Sequence, residues 1–174
     1  MPPSAVAQLH EWHDFYILIA TVSVTIIGAM FVVASIASPY LTPARAAQSR
    51  AFFSPIVLHL STTVLGCAAV MMPNLSDIGF VFLFGLGGVG GLVYSLLITF
   101  RILHIHDDVE DRIWYAVVPD VGYIVMLGAV LLALMHEPMA LDMLAGAVAI
   151  LLIASIRNAW DLTVFFVTRE RGPE

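Results

Sequence analysis

Charge is scarce in this chain: 11% of its 174 residues are charged, 60% are hydrophobic, and mean hydropathy is +0.96. Soluble domains carry roughly 25% charged residues. The sequence therefore holds too little polar surface to coat a water-soluble fold, and its apolar residues must face lipid as well as one another. Lysine is missing altogether, all seven basic residues being arginine. With a formal net charge of -6 and no cationic cluster, a nucleic-acid partner is excluded, because phosphate binding needs clustered cations. Cysteine occurs once, as Cys67 inside an apolar run, which rules out an intrachain disulfide and argues against a zinc–thiolate site. No basic residue precedes the first apolar run in MPPSAVAQLHEWHD. A cleaved secretory signal has a positive n-region, so this segment is expected to be retained.

What is present is long apolar runs. About 20 mostly apolar residues cross ~30 Å of hydrocarbon at a helical rise of 1.5 Å. Five segments meet that length: about 15–37, 52–72, 78–100, 113–135 and 139–167. The expected fold is all-α, a polytopic bundle of five transmembrane helices forming one domain over 1–174. Strands are excluded because an open sheet edge cannot be satisfied in hydrocarbon. Proline sets two boundaries, at Pro39 and Pro73, where it interrupts the helical backbone. The arginines outside the spans fall in alternate loops: Arg45 and Arg50, then Arg101 and Arg112, then Arg169 and Arg171. Positive charge is retained on the cytoplasmic side, so the N-terminus is expected outside and the C-terminus inside. Trp12, Tyr16, Trp114, Tyr115 and Trp160 lie near predicted helix ends, as an aromatic belt requires. No internal repeat supports an inverted-repeat transporter.

Several patterns have both a packing and a functional reading. The third segment contains Gly85-Leu86-Gly87-Gly88-Val89-Gly90-Gly91. No strand precedes this G-x-G-x-x-G, so it fails as a dinucleotide fingerprint. Gly87 and Gly91 instead form a small-xxx-small packing pair. On the first helix, Thr21, Thr25, Gly28, Val32 and Ser35 recur on one face. They make either an interhelical interface or a pore lining contributed by each subunit of an oligomer.

Ionisable groups inside a span are costly there. His59, Asp120, Arg157, Asn158 and Asp161, with Tyr94 and Thr99, fall at similar depth on four helices. The expectation is one intramembrane polar cluster in which Asp120 meets Arg157, with His59 nearby. Arg157 and Asp161 are also spaced to pair on one helix face. Such a cluster either fixes packing or holds a proton, an ion or a headgroup.

The loop after the third helix reads HIHDDVEDR. His104, His106, Asp107, Asp108 and Asp111 offer imidazole and carboxylate ligands suited to a divalent metal. DDVED also fits the D-D-x-x-D pattern with which isoprenoid enzymes hold Mg²⁺-diphosphate, but a second acidic motif is not found. The alternative is a solvated acidic linker whose charge favours the start of the next helix. At the opposite face, His10, Glu11, His13, Asp14, His136 and Glu137 make a second metal-like set. No G-x-S-x-G, H-E-x-x-H or P-loop occurs in usable context, so no catalytic residue is assigned.

Two stretches, HDFYILIATVSVTIIGAMFVVASIA and SIRNAWDLTVFFVTRERG, resemble small multi-pass inner-membrane proteins of bacteria whose activity is unassigned. The more specific part is RNAWDL, Arg157 to Leu162. The resemblance implies a bacterial inner membrane and carries no catalytic role. The expected function is a small homo-oligomeric channel, transporter or membrane-interaction protein. The alternatives are a metal-dependent membrane enzyme or lipid-headgroup binder using residues 104–112, and a structural subunit of a membrane complex.

Overall fold

The computed structural model describes the backbone of residues 5–37, 43–105 and 109–169, and the side chains of 12–36, 54–101, 109–110 and 112–165. Among the described residues every regular element is helical. The order is α1 (Ala5–Ala37), α2 (Pro43–Val70), α3 (Asp77–Ile105), the short α4 (Val109–Arg112), a π-helical turn (Ile113–Val117) continuous with α5 (Val118–Leu134), and α6 (Ala140–Arg169).

Four stretches are long and apolar enough to cross a membrane: Trp12–Ile36, Asp77–Arg101, Ile113–Leu134 and Ala140–Phe165. Of the fifth expected span, 52–72, the described part Ser54–Val70 is an apolar helix, and the side chains of 51–53 lie outside the described residues. The chain upstream holds Arg45, Gln48 and Arg50, yet is helical from Pro43 because its alanines sustain a helix without apolar side chains. The other long helices also outrun the expected limits, α1 beginning at Ala5 and α3 continuing to Ile105. Polar residues at those ends leave the apolar run without ending the helix.

The helices close a ring in which α2 packs on α3, α3 on α5, α5 on α6, and α6 on α2, while α1 lies against α2 and α6. Tyr16, fully buried, donates its hydroxyl to the Leu141 carbonyl and so ties α1 to the start of α6. Just before α6, at the C-terminal end of α5, the chain turns through His136, which adopts a left-handed φ of 56°. The Glu137 amide reaches the Leu132 carbonyl and the His136 amide the Ala133 carbonyl, which is the bonding of a Schellman cap.

Polarity along α3 runs opposite to that of a soluble helix. Phe82, Leu86, Val89, Val93, Leu97 and Phe100 point outward, while Phe80, Phe84, Gly88, Gly91, Ser95 and Thr99 face the bundle. From Gly88 onward the buried side thus carries small and hydroxylic residues, whereas the outward side carries large apolar ones. A contiguous exposed apolar surface of this kind marks contact with lipid or another apolar partner.

Candidate functional site

Inside the ring lies a polar layer made by His59 and Thr63 of α2, Ser95 and Thr99 of α3, Asp120 of α5, and Ser155 and Asn158 of α6, all buried. Two of its four serine and threonine hydroxyls are satisfied within their own helix. Thr63 donates to the His59 carbonyl and Ser155 to the Leu151 carbonyl, each one turn back.

Two cross-helix pairs define the centre. His59 Nδ1 lies 2.9 Å from the Tyr123 hydroxyl, with the rings 5.5 Å apart between centroids. Thr62 and the half-buried Tyr94 lie near that hydroxyl. Tyr123 reaches across the bundle because Gly91 has no side chain. A Cβ there would fall 2.0 Å from the Tyr123 ring. The second pair is Thr99 Oγ1 donating to Asp120 Oδ2 at 2.9 Å. The other carboxylate oxygen, Oδ1, is buried without a hydrogen-bond partner, and so is Ser95 Oγ, one turn along α3 from Thr99. Asp120 follows Tyr123 by three positions in reverse, so both project from one face of α5.

The expected Asp120–Arg157 pair is not formed. Arg157 binds Asp161 on its own helix and Glu110 of α4. The reason is angular: Asn158 and Arg157 are successive residues, about 100° apart around α6. Asn158 is 2% exposed and faces the ring, whereas the Arg157 side chain is 34% exposed at the boundary with α4. The guanidinium keeps its charge at the edge of the bundle, as long cationic side chains do. Asp161, half-buried, belongs to that edge rather than to the polar layer.

Other sequence-derived candidates fall elsewhere. Thr21, Thr25 and Ser35 face outward and donate to the carbonyls of Ile17, Thr21 and Phe31 at 2.8 Å each. Val32 is exposed and nothing lies within 4 Å of a Cβ placed on Gly28. The stripe is therefore not an interface within this chain, because α1 turns its other face to α2 and α6. The glycine pair is also shifted: nothing approaches Gly87, while a Cβ on Gly88 would fall 2.7 Å from Leu127. Gly88 and Gly91 are the positions at which α3 closes on α5.

Of the acidic loop, His106, Asp107 and Asp108 lie outside the described residues, as do the side chains of His104 and Asp111. The side chains of His10 and Glu11 lie outside them as well. Among the described residues His13 pairs with its neighbour Asp14, at 3.4 Å. His136 and Glu137 line a cleft of about 230 Å³ with Ser76 and Asp77. Among the described residues no three His, Cys, Asp or Glu side chains are grouped to hold a metal.

Sequence reasoning missed Tyr123 and Ser95, and gave Tyr115 to an aromatic belt and Glu110 to the acidic loop, whereas both meet α6. Spacing was the available signal for the first two: Tyr123 is at i+3 from Asp120, and Ser95 at i-4 from Thr99. Comparison with protein-family models, curated proteins and solved structures finds no match for the chain.

Proposed function

We propose that the chain is an integral membrane protein that moves protons or small cations, with Asp120 as the group that binds them. The reading is carried by one observation. Asp120 is a 9% exposed carboxylate inside a stretch apolar enough to cross a membrane, with one oxygen held by Thr99 and the other unpartnered. Among the described residues no cationic side chain pairs with it. A buried carboxylate lacking an opposing charge is expensive, and a proton or small cation on Oδ1 would supply that charge. Ionisable residues at such depth commonly mark ion and proton pathways. Ser95 Oγ offers a second unmet oxygen on the facing helix, and the His59–Tyr123 pair extends the layer toward α2.

The membrane setting we propose is a bacterial inner membrane, on the resemblance of the first and last helices. The orientation, N-terminus outside, follows the arginines at Arg45, Arg50, Arg101, Arg112, Arg169 and Arg171. In it α2 supplies the fifth crossing, its apolar run extending in the sequence from about Phe52 to Met72. The outward stripe of α1, with Gly28 open, supports a second copy packing there.

The test is flux in proteoliposomes. Vesicles bearing the protein and a pH- or sodium-sensitive dye should dissipate an imposed gradient faster than empty ones. Asp120→Asn, which keeps the shape and the Thr99 bond, should abolish the difference. Parent vesicles as tight as empty ones for both ions, or an Asp120→Asn variant as active as the parent, would remove Asp120 from this role.

A further inference from the structure

At its α4 end the polar layer is approached through helix wound differently from the rest of the bundle. In the π-helical turn Ile113–Val117, the Val118 amide donates to the Ile113 carbonyl, five residues back. Continued in that register, residue 119 faces the Trp114 carbonyl, and Pro119 has no N–H to give. A side chain from another helix takes the orphaned carbonyl: Asn158 Nδ2 donates to it at 3.0 Å. The adjoining Tyr115 returns its hydroxyl to the backbone carbonyl of Asn158 at 3.1 Å. Two successive residues of the wide turn are thus tied to one residue of α6, and Asp120 stands three residues beyond its last residue, Val117. The clamp is incomplete, since Asn158 Oδ1 is buried without a partner. At the bundle edge, the preceding residue of α6, Arg157, fastens Glu110 of α4.

We infer that this turn is a hinge, and that Asn158 is the positioning residue that keeps it closed over Asp120. A π turn holds one residue more than the α turn it replaces, and such turns recur at functional sites. When the wide turn migrates, each residue it passes rotates by about 100°, the angle between successive α-helical residues. With the clamp made, Asp120 is turned onto Thr99. With the clamp released, the wide turn passes Pro119 and swings the carboxylate out of the α3 seam, which opens the seam to the α4 end. The unmet Asn158 oxygen keeps the closed state from being over-stabilised, as an element with two accessible arrangements requires. This inference rests on Asp120 being the ion-binding group, yet its test reads access and not flux.

In a Cys67→Ala background, Ser95→Cys places a thiol beside the layer. The measurement is its rate of reaction with a membrane-impermeant thiosulfonate in proteoliposomes. Asn158→Leu should raise that rate about tenfold, the population change expected when a part-buried carbonyl loses its side-chain donor. Adding Pro119→Ala gives position 119 an N–H for the Trp114 carbonyl, and should return the rate to about the parent value. An unchanged rate in Asn158→Leu overturns the hinge, and so does a rise that Pro119→Ala fails to reverse, because that is general loosening. Should Asn158→Leu not fold, as judged by circular dichroism and gel filtration, Pro119→Ala alone decides: slower labelling than the parent supports the hinge, equal or faster labelling overturns it. Asp120→Asn that leaves flux intact would sink the ion-binding role while leaving this result standing.

Discussion

Substituting Gly91 by alanine should be among the most disruptive single-methyl additions in the bundle. The new Cβ would sit 2.0 Å from Tyr123 Cε1 and 2.4 Å from Cζ, where ordinary contact begins near 3.4 Å. Relief requires the ring or the whole α3–α5 seam to retreat by about 1.4 Å. The Tyr123 hydroxyl, 2.9 Å from His59 Nδ1, would then pass out of hydrogen-bond range. Overpacking of this kind costs about 1–3 kcal/mol, and the buried bond adds roughly 0.5–2 kcal/mol. Gly90→Ala is the control: nothing lies within 4 Å of its Cβ, so helix propensity alone predicts a change of about 1 kcal/mol or less in the favourable direction. Denaturant titration in mild detergent, followed by circular dichroism, compares the two. In a Tyr123→Ala background the Gly91→Ala penalty should vanish, since its collision partner is gone. Equal stabilities for Gly91→Ala and Gly90→Ala would refute the close approach of α3 and α5 at this point.

Tyr123→Phe should cost about 1 kcal/mol in the parent and markedly less in His59→Ala, because both variants break one bond; additive costs in a double-mutant cycle would mean the pair is not coupled. Glu110→Gln should cost under about 1 kcal/mol and remove part of the salt dependence of unfolding, because the Glu110 side chain is 64% exposed. A titration showing the parent already insensitive to salt would count against that ion pair. His136→Gly should stabilise by about 0.5–1 kcal/mol, since His136 caps α5 with a φ of 56° that glycine adopts freely. A lower unfolding midpoint in that variant would point to a role for the imidazole in the cleft it lines.

Much of the helix layout was legible in the sequence because a spanning helix needs only a long apolar run, and length and hydropathy carry that information. What sequence does not carry well here is azimuth. Each helix is apolar nearly all round, so depth along the axis can be read but the inward face cannot. Arg157 and Asn158 share a depth and were grouped together, yet one faces the ring and the other the edge. GLGGVGG puts a glycine on every side of α3, and only the packed structure distinguishes Gly88, against Leu127, from Gly87, against nothing. The π turn was hidden for a different reason. Pro119 announces a lost hydrogen bond, but whether the helix kinks, widens or ends depends on what neighbouring helices offer, and here Asn158 offers a donor.

The inverted polarity of α3 bears on why an acid stands at position 120. Between helices in lipid, burial of apolar surface gives no net drive, so association depends on close packing and interhelical hydrogen bonds. The bundle supplies both, with Gly88 and Gly91 admitting Leu127 and Tyr123, and the His59–Tyr123 and Thr99–Asp120 bonds joining helices across the layer. A structural requirement at position 120 would be met by asparagine, which accepts from Thr99 equally well and needs no counter-charge. Packing therefore explains the size of the residue and its bond to Thr99, and leaves the ionisable group unexplained. An acid whose second oxygen is buried and unpartnered adds nothing to helix association that the amide would lack. What it adds is the capacity to hold and release a positive charge, which is what the proposed ion-binding role asks of position 120.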